Sequence, residues 1–80
     1  MKIDENLKQD FILLGLHIKD LREKRNITIK ELSKNTNIKP EYLKKIEKGM
    51  AYGVLIDKHL IKIATVFQIK LSEMFDFKIK

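Results

Sequence analysis

The chain has 80 residues, 44% of them hydrophobic and 35% charged, with a formal net charge of +6 and a pI near 9.6. This length predicts one domain over residues 1–80, and the positive charge predicts a polyanionic partner whose binding weakens with salt. The lack of cysteine excludes disulfides and thiolate metal sites, and it favours a cytoplasmic protein. No apolar run approaches the roughly 20 residues needed to span a bilayer, so we expect no membrane protein.

Apolar residues three and four positions apart predict a first helix over residues 6–25. Its apolar face consists of Leu7, Phe11, Leu14, Ile18 and Leu21. Gly15 lies inside this face, where it weakens the helix by about 1 kcal/mol relative to alanine but permits close packing. The sequence therefore predicts a long amphipathic helix that packs against the rest of the chain.

A second helix is predicted to begin at Thr28, because Glu31 follows three residues later and the two side chains can form a capping box. Ile29 and Leu32 supply its large apolar side chains. Asn37 follows in a polar stretch, and asparagine tolerates the left-handed backbone conformation that closes a helix. We expect a tight turn at Asn37.

A third helix is predicted to begin at Pro40, whose missing amide has no penalty at the first helical position, and to end at Gly49. Rotation by about 100° per residue places Leu43 and Ile46 on the inner side. The charged side chains that share the opposite side, called the outer stripe below, are Glu41, Lys44, Lys45 and Lys48. Taken alone, such a stripe is more often an ordinary solvated helix face.

The last two helices are predicted over the carboxyl-terminal third of the chain. Asp57 is expected to cap a fourth helix that ends at Phe67, and Ser72 to cap a short fifth helix. The inward side chains of the fourth helix are expected to be Leu60, Ile63, Ala64 and Phe67.

The final segment, FDFKIK, alternates apolar and charged residues with the period of a half-buried strand. We expect the tail over residues 74–80 to contribute to a homodimer interface; the alternative is that it folds back on its own core. The residues expected in this interface are Val66, Phe67, Met74, Phe77 and Ile79.

No pattern of catalytic or cofactor-binding residues is present. His17 and His59 lie on different predicted helices, so we interpret them as surface or boundary residues and expect no metal site. The chain has no glycine-rich phosphate loop and no spacing typical of a nucleophile with its base. We expect no catalytic residues, no cofactor and no enzymatic activity.

Three segments carry a resemblance to a known family: LGLHIKDLREKRNITIKEL, NIKPEYLKKIEKG and LIKIATVFQIKLSEMF. In this order and spacing they resemble the Xre-type family of small bacterial and phage DNA-binding regulators, which includes the Cro and phage repressor domains. The resemblance implies an all-α, compact five-helix bundle with a central helix-turn-helix over about residues 28–48. It also implies that the third helix lies in the major groove of double-stranded DNA.

The resemblance assigns roles to individual residues. Those at the positions of the family's base-contacting side chains are Pro40, Glu41, Lys44 and Lys45. Those at positions where phosphate contacts are common are Thr28, Lys39 and Lys48. Arg22 and Glu47 match a pair that forms an internal salt bridge in several relatives. Ile29 departs from the family, which usually has a glutamine there that donates to a DNA phosphate, and the loop from Met50 to Ile56 is longer than usual.

These observations predict a sequence-specific transcriptional regulator that acts as a homodimer by occupying a promoter or operator. With no further domain expected, it would repress by covering the promoter or activate by contacting RNA polymerase. The alternative is a protein-binding adaptor, for instance an antitoxin that masks a cognate toxin and keeps the helix-turn-helix as a scaffold. A basic domain that lies on a membrane surface is a weaker alternative, because the apolar helix faces are needed for the core.

Overall fold

The computed structural model describes the backbone of residues 5–51 and 56–78 and the side chains of residues 8–51 and 58–76. The elements are α1 (Glu5–Lys24), α2 (Ile29–Thr36), α3 (Pro40–Glu47), α4 (Ile56–Phe67) and a 3-10 helix (Leu71–Lys78). The predicted all-α class and its five helices are therefore confirmed. No helix in these ranges is both long and apolar enough to cross a membrane.

The start of α2 is fixed by the predicted capping box. The Thr28 hydroxyl accepts a hydrogen bond from the Glu31 amide at 3.1 Å, and the Thr28 amide donates to the Glu31 carboxylate at 2.9 Å. The end of α2 is equally local, because Asn37 has φ 61°, in the left-handed region, and its amide donates to the Ser33 carbonyl. Both the predicted start and the predicted turn residue are confirmed.

The helix α3 begins at Pro40, as predicted, and Gly49 lies just beyond its end with φ 75°. A Cβ atom on Gly49 would overlap the backbone of Ile12 in α1. A Cβ atom on Gly15 would overlap the carbonyl oxygens of Ile46 and Glu47 in α3. Both glycines therefore lie where α1 and the end of α3 approach too closely for any side chain.

One cluster of buried apolar side chains joins the helices. α1 packs against α3 and the 3-10 helix, while α2 packs against α3 and α4. The buried apolar residues are Leu14, Ile18, Leu32, Ile38, Leu43, Ile46, Ala51, Leu60, Ile63, Ala64, Phe67 and Met74. The inward faces predicted for α3 and α4 are confirmed, and Leu7 of the predicted first-helix face lies outside the described side chains.

Three expectations for the carboxyl-terminal part are wrong. The helix α4 begins at Ile56, so Asp57 lies inside it and is not its cap. The 3-10 helix begins at Leu71, so Ser72 is not its cap either, and the Lys70 amide instead donates to the Glu73 carboxylate at 3.0 Å. Residues 75–78 of the FDFKIK segment continue the 3-10 helix and do not form a strand, and Met74 before them is fully buried.

The burial of the same region also corrects the expected dimer residues. Phe67 and Met74 are 3% and 0% exposed, so both are part of this chain's own core and have no free surface for a partner. Val66 is half-buried, the side chain of Phe77 lies outside the described residues, and Ile79 lies outside them altogether. A dimer interface therefore cannot be built from the full set that the sequence suggested.

Candidate nucleic-acid interface

The outer stripe of α3 faces solvent over its whole length. Its four side chains, Glu41, Lys44, Lys45 and Lys48, are all exposed, whereas the inner side chains of the helix are 1–2% exposed. The amphipathic pattern of the sequence explains this division, because the core takes the apolar side and leaves the lysines free. Three cations and one carboxylate are thus exposed to solvent on the same side of α3 and at its end.

Pro40 and the residues with predicted phosphate contacts lie at the ends of the helices. Pro40 is half-buried at the first position of α3, and Lys39 before it and Lys48 after it are exposed. Thr28 is exposed at the cap of α2, where its hydroxyl oxygen accepts from Glu31. Because that oxygen acts as an acceptor there, its O–H can still donate to an anion.

Arg22 and Glu47 join α1 to the last residue of α3. Arg22 Nε donates to Glu47 Oε2 at 2.7 Å and Nη2 donates to Oε1 at 3.2 Å, while Nη1 donates to the Ile27 carbonyl at 2.8 Å. The hydrogen bond to Glu47 raises the pKa of Arg22 above its usual value. Since this ion pair engages both of its carboxylate oxygens, Glu47 holds α3 in place and is not free to contact a ligand.

The turn between α2 and α3 is held by two hydroxyl groups. Thr36 Oγ1 donates to the Leu32 carbonyl at 2.6 Å and accepts from the Ile38 amide at 3.3 Å. Ser33 Oγ donates to the Ile38 carbonyl at 2.5 Å. Thr36 was identifiable from the sequence only by its residue type, since threonine hydroxyls often bond the carbonyl four residues earlier.

On one flank of the outer stripe, α3 contacts α4 through two rings. The Tyr42 and His59 rings meet edge to face, with centroids 5.0 Å apart and an interplanar angle of 64°. His59 is half-buried, and its Nδ1 has no hydrogen-bond partner among the described residues. His17, also half-buried, lies with Nε2 3.0 Å from the Glu73 carbonyl oxygen, and no described cluster of His, Asp or Glu could hold a metal ion.

On the other flank, Ile29 is half-buried against the core. Its side chain has no hydrogen-bond donor, whereas the family usually has a glutamine at this position that donates to a DNA phosphate. Tyr52 of the long loop, and residues 53–55, lie outside the described part of the chain. The residues that the sequence predicts to contact phosphates, Thr28, Lys39 and Lys48, are all exposed.

Two short helices joined by a tight turn, with a basic stripe on the exposed side of the second, define the helix-turn-helix class of DNA-binding proteins. The Helix-turn-helix family model matches residues 18–74. The chain belongs to this helix-turn-helix family, and its resemblance to the Xre-type regulators is confirmed.

Solved structures share the fold. The restriction-modification controller protein C.AhdI from Aeromonas hydrophila superposes with a TM-score of 0.76 at 22% identity, over 84% of this chain and 98% of that one. The clp gene regulator ClgR from C. glutamicum has a TM-score of 0.73 at 18% identity, over 82% of this chain and 83% of that one. Among curated proteins, no sequence matches the chain.

Proposed function

We propose that the protein is a cytoplasmic, sequence-specific regulator that binds double-stranded DNA as a homodimer and acts by occupying a promoter or operator. The observation that carries the proposal is the outer stripe. Its lysines are exposed, form no ion pair with another described residue, and belong to a helix fixed at its end by the Arg22–Glu47 pair. A rigid basic helix of this kind suits the major groove, where it meets base edges at the floor and phosphates at the rim.

Each proposed contact follows from the chemistry of the side chain. Lys44 and Lys45 can donate to guanine O6 and N7, and Glu41 can accept from the cytosine N4 amine. Pro40 can pack on a thymine methyl group. The groups proposed to contact phosphates are Thr28, Lys39 and Lys48. The resulting binding site contains both G·C and A·T pairs.

The homodimer is proposed because two copies of α3 set about 34 Å apart meet successive major grooves on one side of the duplex. Val66 is half-buried, and Ile61 on the outer side of α4 is 53% exposed. We propose Val66 and Ile61 as contact residues, and Phe77 and Ile79 of the tail as further candidates from the sequence alone. The bound dimer would repress by covering the promoter or activate by contacting RNA polymerase.

The experiment that tests the proposal is selection of binding sites from a random duplex pool by the purified protein, at low and at near-physiological salt. We expect an enriched inverted repeat that survives the higher salt, because base contacts persist when phosphate contacts are screened. Binding that is lost at the higher salt and enriches no sequence would contradict the proposal.

Lys44→Ala and Lys45→Ala test the outer stripe directly. Each is expected to weaken binding to the selected duplex by about 1–3 kcal/mol, the usual value of a base contact, without changing the melting temperature. Lys70→Ala removes the same charge beside the 3-10 helix, which packs on α1 and α4, and serves as the control. Fluorescence anisotropy at fixed salt measures all three. An adaptor that used the fold only as a scaffold would bind its protein partner equally well in every variant.

A further inference from the structure

A groove of about 420 Å³ runs between α1 and α3, on the flank of the outer stripe opposite His59. Its floor consists of Ile12 and Leu16 from α1 and Ile29 from α2. Its rim consists of Lys19, Lys44 and Lys48. We call this site the α1–α3 groove.

The floor is apolar surface that the fold leaves open. Leu16 is 55% exposed although it lies in the middle of α1, and Ile12 lies four residues earlier on the same side of that helix. None of the three floor side chains has a hydrogen-bond donor, so a DNA phosphate gains nothing from them. Contiguous apolar surface rimmed by charges is typical of a protein-binding site.

The rim gives the groove a positive charge. Lys19, Lys44 and Lys48 are exposed and form no ion pair with another described residue. Glu47 is the acidic residue that lines the groove, and its charge is neutralised by the hydrogen-bonded guanidinium of Arg22. Three lysines around an apolar floor are therefore complementary to a ligand that is apolar on one side and acidic on the other.

We propose that the α1–α3 groove binds an acidic amphipathic helix of a partner protein. Apolar side chains of that helix, three and four residues apart, would pack on Ile12, Leu16 and Ile29, and its carboxylates would pair with the rim lysines. Because Lys44 and Lys48 also belong to the outer stripe, the partner and DNA exclude each other. The mutual exclusion of the partner and DNA rests on the proposed function. Under that function, the partner is a protein that releases the regulator from its operator.

The probe is a synthetic peptide of about 18 residues, long enough for a stable helix, with leucines along one face and glutamates on the others. A peptide of the same composition with scrambled leucine positions and one with lysines in place of the glutamates serve as matched controls. Binding is measured by anisotropy and by methyl NMR shifts in the full chain. We expect the acidic amphipathic peptide to bind, with shifts at Ile12, Leu16 and Ile29, and both controls to bind at least about tenfold more weakly.

Two variants separate the groove from the DNA-contacting surface. Leu16→Asn alters the groove floor at an exposed position and leaves every lysine in place. It should therefore weaken peptide binding at least about tenfold and leave duplex binding unchanged. Leu71→Asn, at a 38% exposed leucine that is the first residue of the 3-10 helix, is the matched control and should change binding of neither the peptide nor the duplex. Lys45 belongs to the outer stripe but does not line the groove, so Lys45→Ala should weaken binding of the duplex and leave binding of the peptide unchanged.

The outcomes distinguish the two proposals. Equal binding of the acidic and scrambled peptides, or equal effects of Leu16→Asn and Leu71→Asn, would overturn the groove proposal whatever the protein does with DNA. Reduced self-association of Leu16→Asn in sedimentation would also overturn it, since the occupant would then be a second copy of this chain. Peptide binding at the groove without sequence-specific duplex binding would leave the groove standing and refute the regulator.

Discussion

At the scale of single residues, Arg22 combines two structural tasks. It neutralises the carboxylate at the end of α3, and it satisfies the Ile27 carbonyl just before α2. The side chains of the ion pair are only 12% and 9% exposed, so water cannot easily replace either partner. The pair therefore positions both helices of the helix-turn-helix relative to α1.

Arg22→Ala is expected to lower the free energy of unfolding by about 2–4 kcal/mol, because it leaves the Glu47 carboxylate buried without a partner. Lys24→Ala is the matched control, since it breaks the Asp20–Lys24 pair, which is 54–71% exposed and should contribute less than about 1 kcal/mol. Urea unfolding followed by circular dichroism measures both. Equal losses in the two variants would show that the Arg22–Glu47 pair has no special structural weight.

Glu31 makes the start of α2 sensitive to acid. The hydrogen bond from the Thr28 amide lowers the pKa of Glu31 below its usual value. Its stabilising contribution is therefore complete above the unfolded pKa of about 4.3 and is lost as the pH falls through the lower folded value. The melting temperature of Glu31→Gln should lie below that of the natural chain at pH 7, and the gap should close on acidification. A gap that stays constant from pH 7 to pH 3 would contradict this assignment.

At the scale of the helices, the crossing of α1 over α3 depends on Gly15. Gly15→Ala gains about 1 kcal/mol of helix propensity, but its Cβ would meet two backbone carbonyls of α3 that cannot move independently. We expect a net loss of about 1–3 kcal/mol in unfolding free energy. Gln9→Ala, at an exposed position of the same helix, should be near neutral. A Gly15→Ala chain as stable as the natural one would show that this close approach does not constrain the fold.

The helix boundaries that local chemistry specifies were predictable from the sequence. The capping box at Thr28, the left-handed Asn37 and the proline start of α3 each involve groups within a few residues. The wrong caps at Asp57 and Ser72 show where this local reasoning stops. Each side chain suits a cap, but each lies at the second residue of its helix, so residue type alone did not locate the start.

At the scale of the whole molecule, the candidate site also contains features set by a single helix and features set by several. The exposure of Lys44 and Lys45 follows from the rotation of one helix, so the sequence could predict it. The α1–α3 groove could not be predicted in this way, because it joins Leu16 of α1 to Ile29 of α2 and to Lys48 just after α3. Surfaces of that kind exist only after the chain has folded.

The proposed dimer is a property of two whole molecules and is tested at α4. Ile61→Ser should raise the dimer dissociation constant at least about tenfold, because it removes an exposed apolar side chain from the proposed contact surface. Leu13→Ser, at a 42% exposed leucine on α1, is the control. Sedimentation equilibrium measures both. Removal of residues 77–80 tests the tail, and a truncated chain that is folded and dimeric would exclude Phe77 and Ile79.

The short length of α3 limits how many base pairs the helix could contact in one major groove. Eight helical residues extend only about 12 Å, which corresponds to about three or four base pairs at 3.4 Å each. In the proposed dimer, two half-sites of that size, about seven base pairs, recur by chance once in roughly 16,000 base pairs, so direct contacts from α3 would not single out one locus among millions of base pairs. The proposed regulator would then gain its remaining discrimination from tandem operators or from the deformability of bases that the protein never touches.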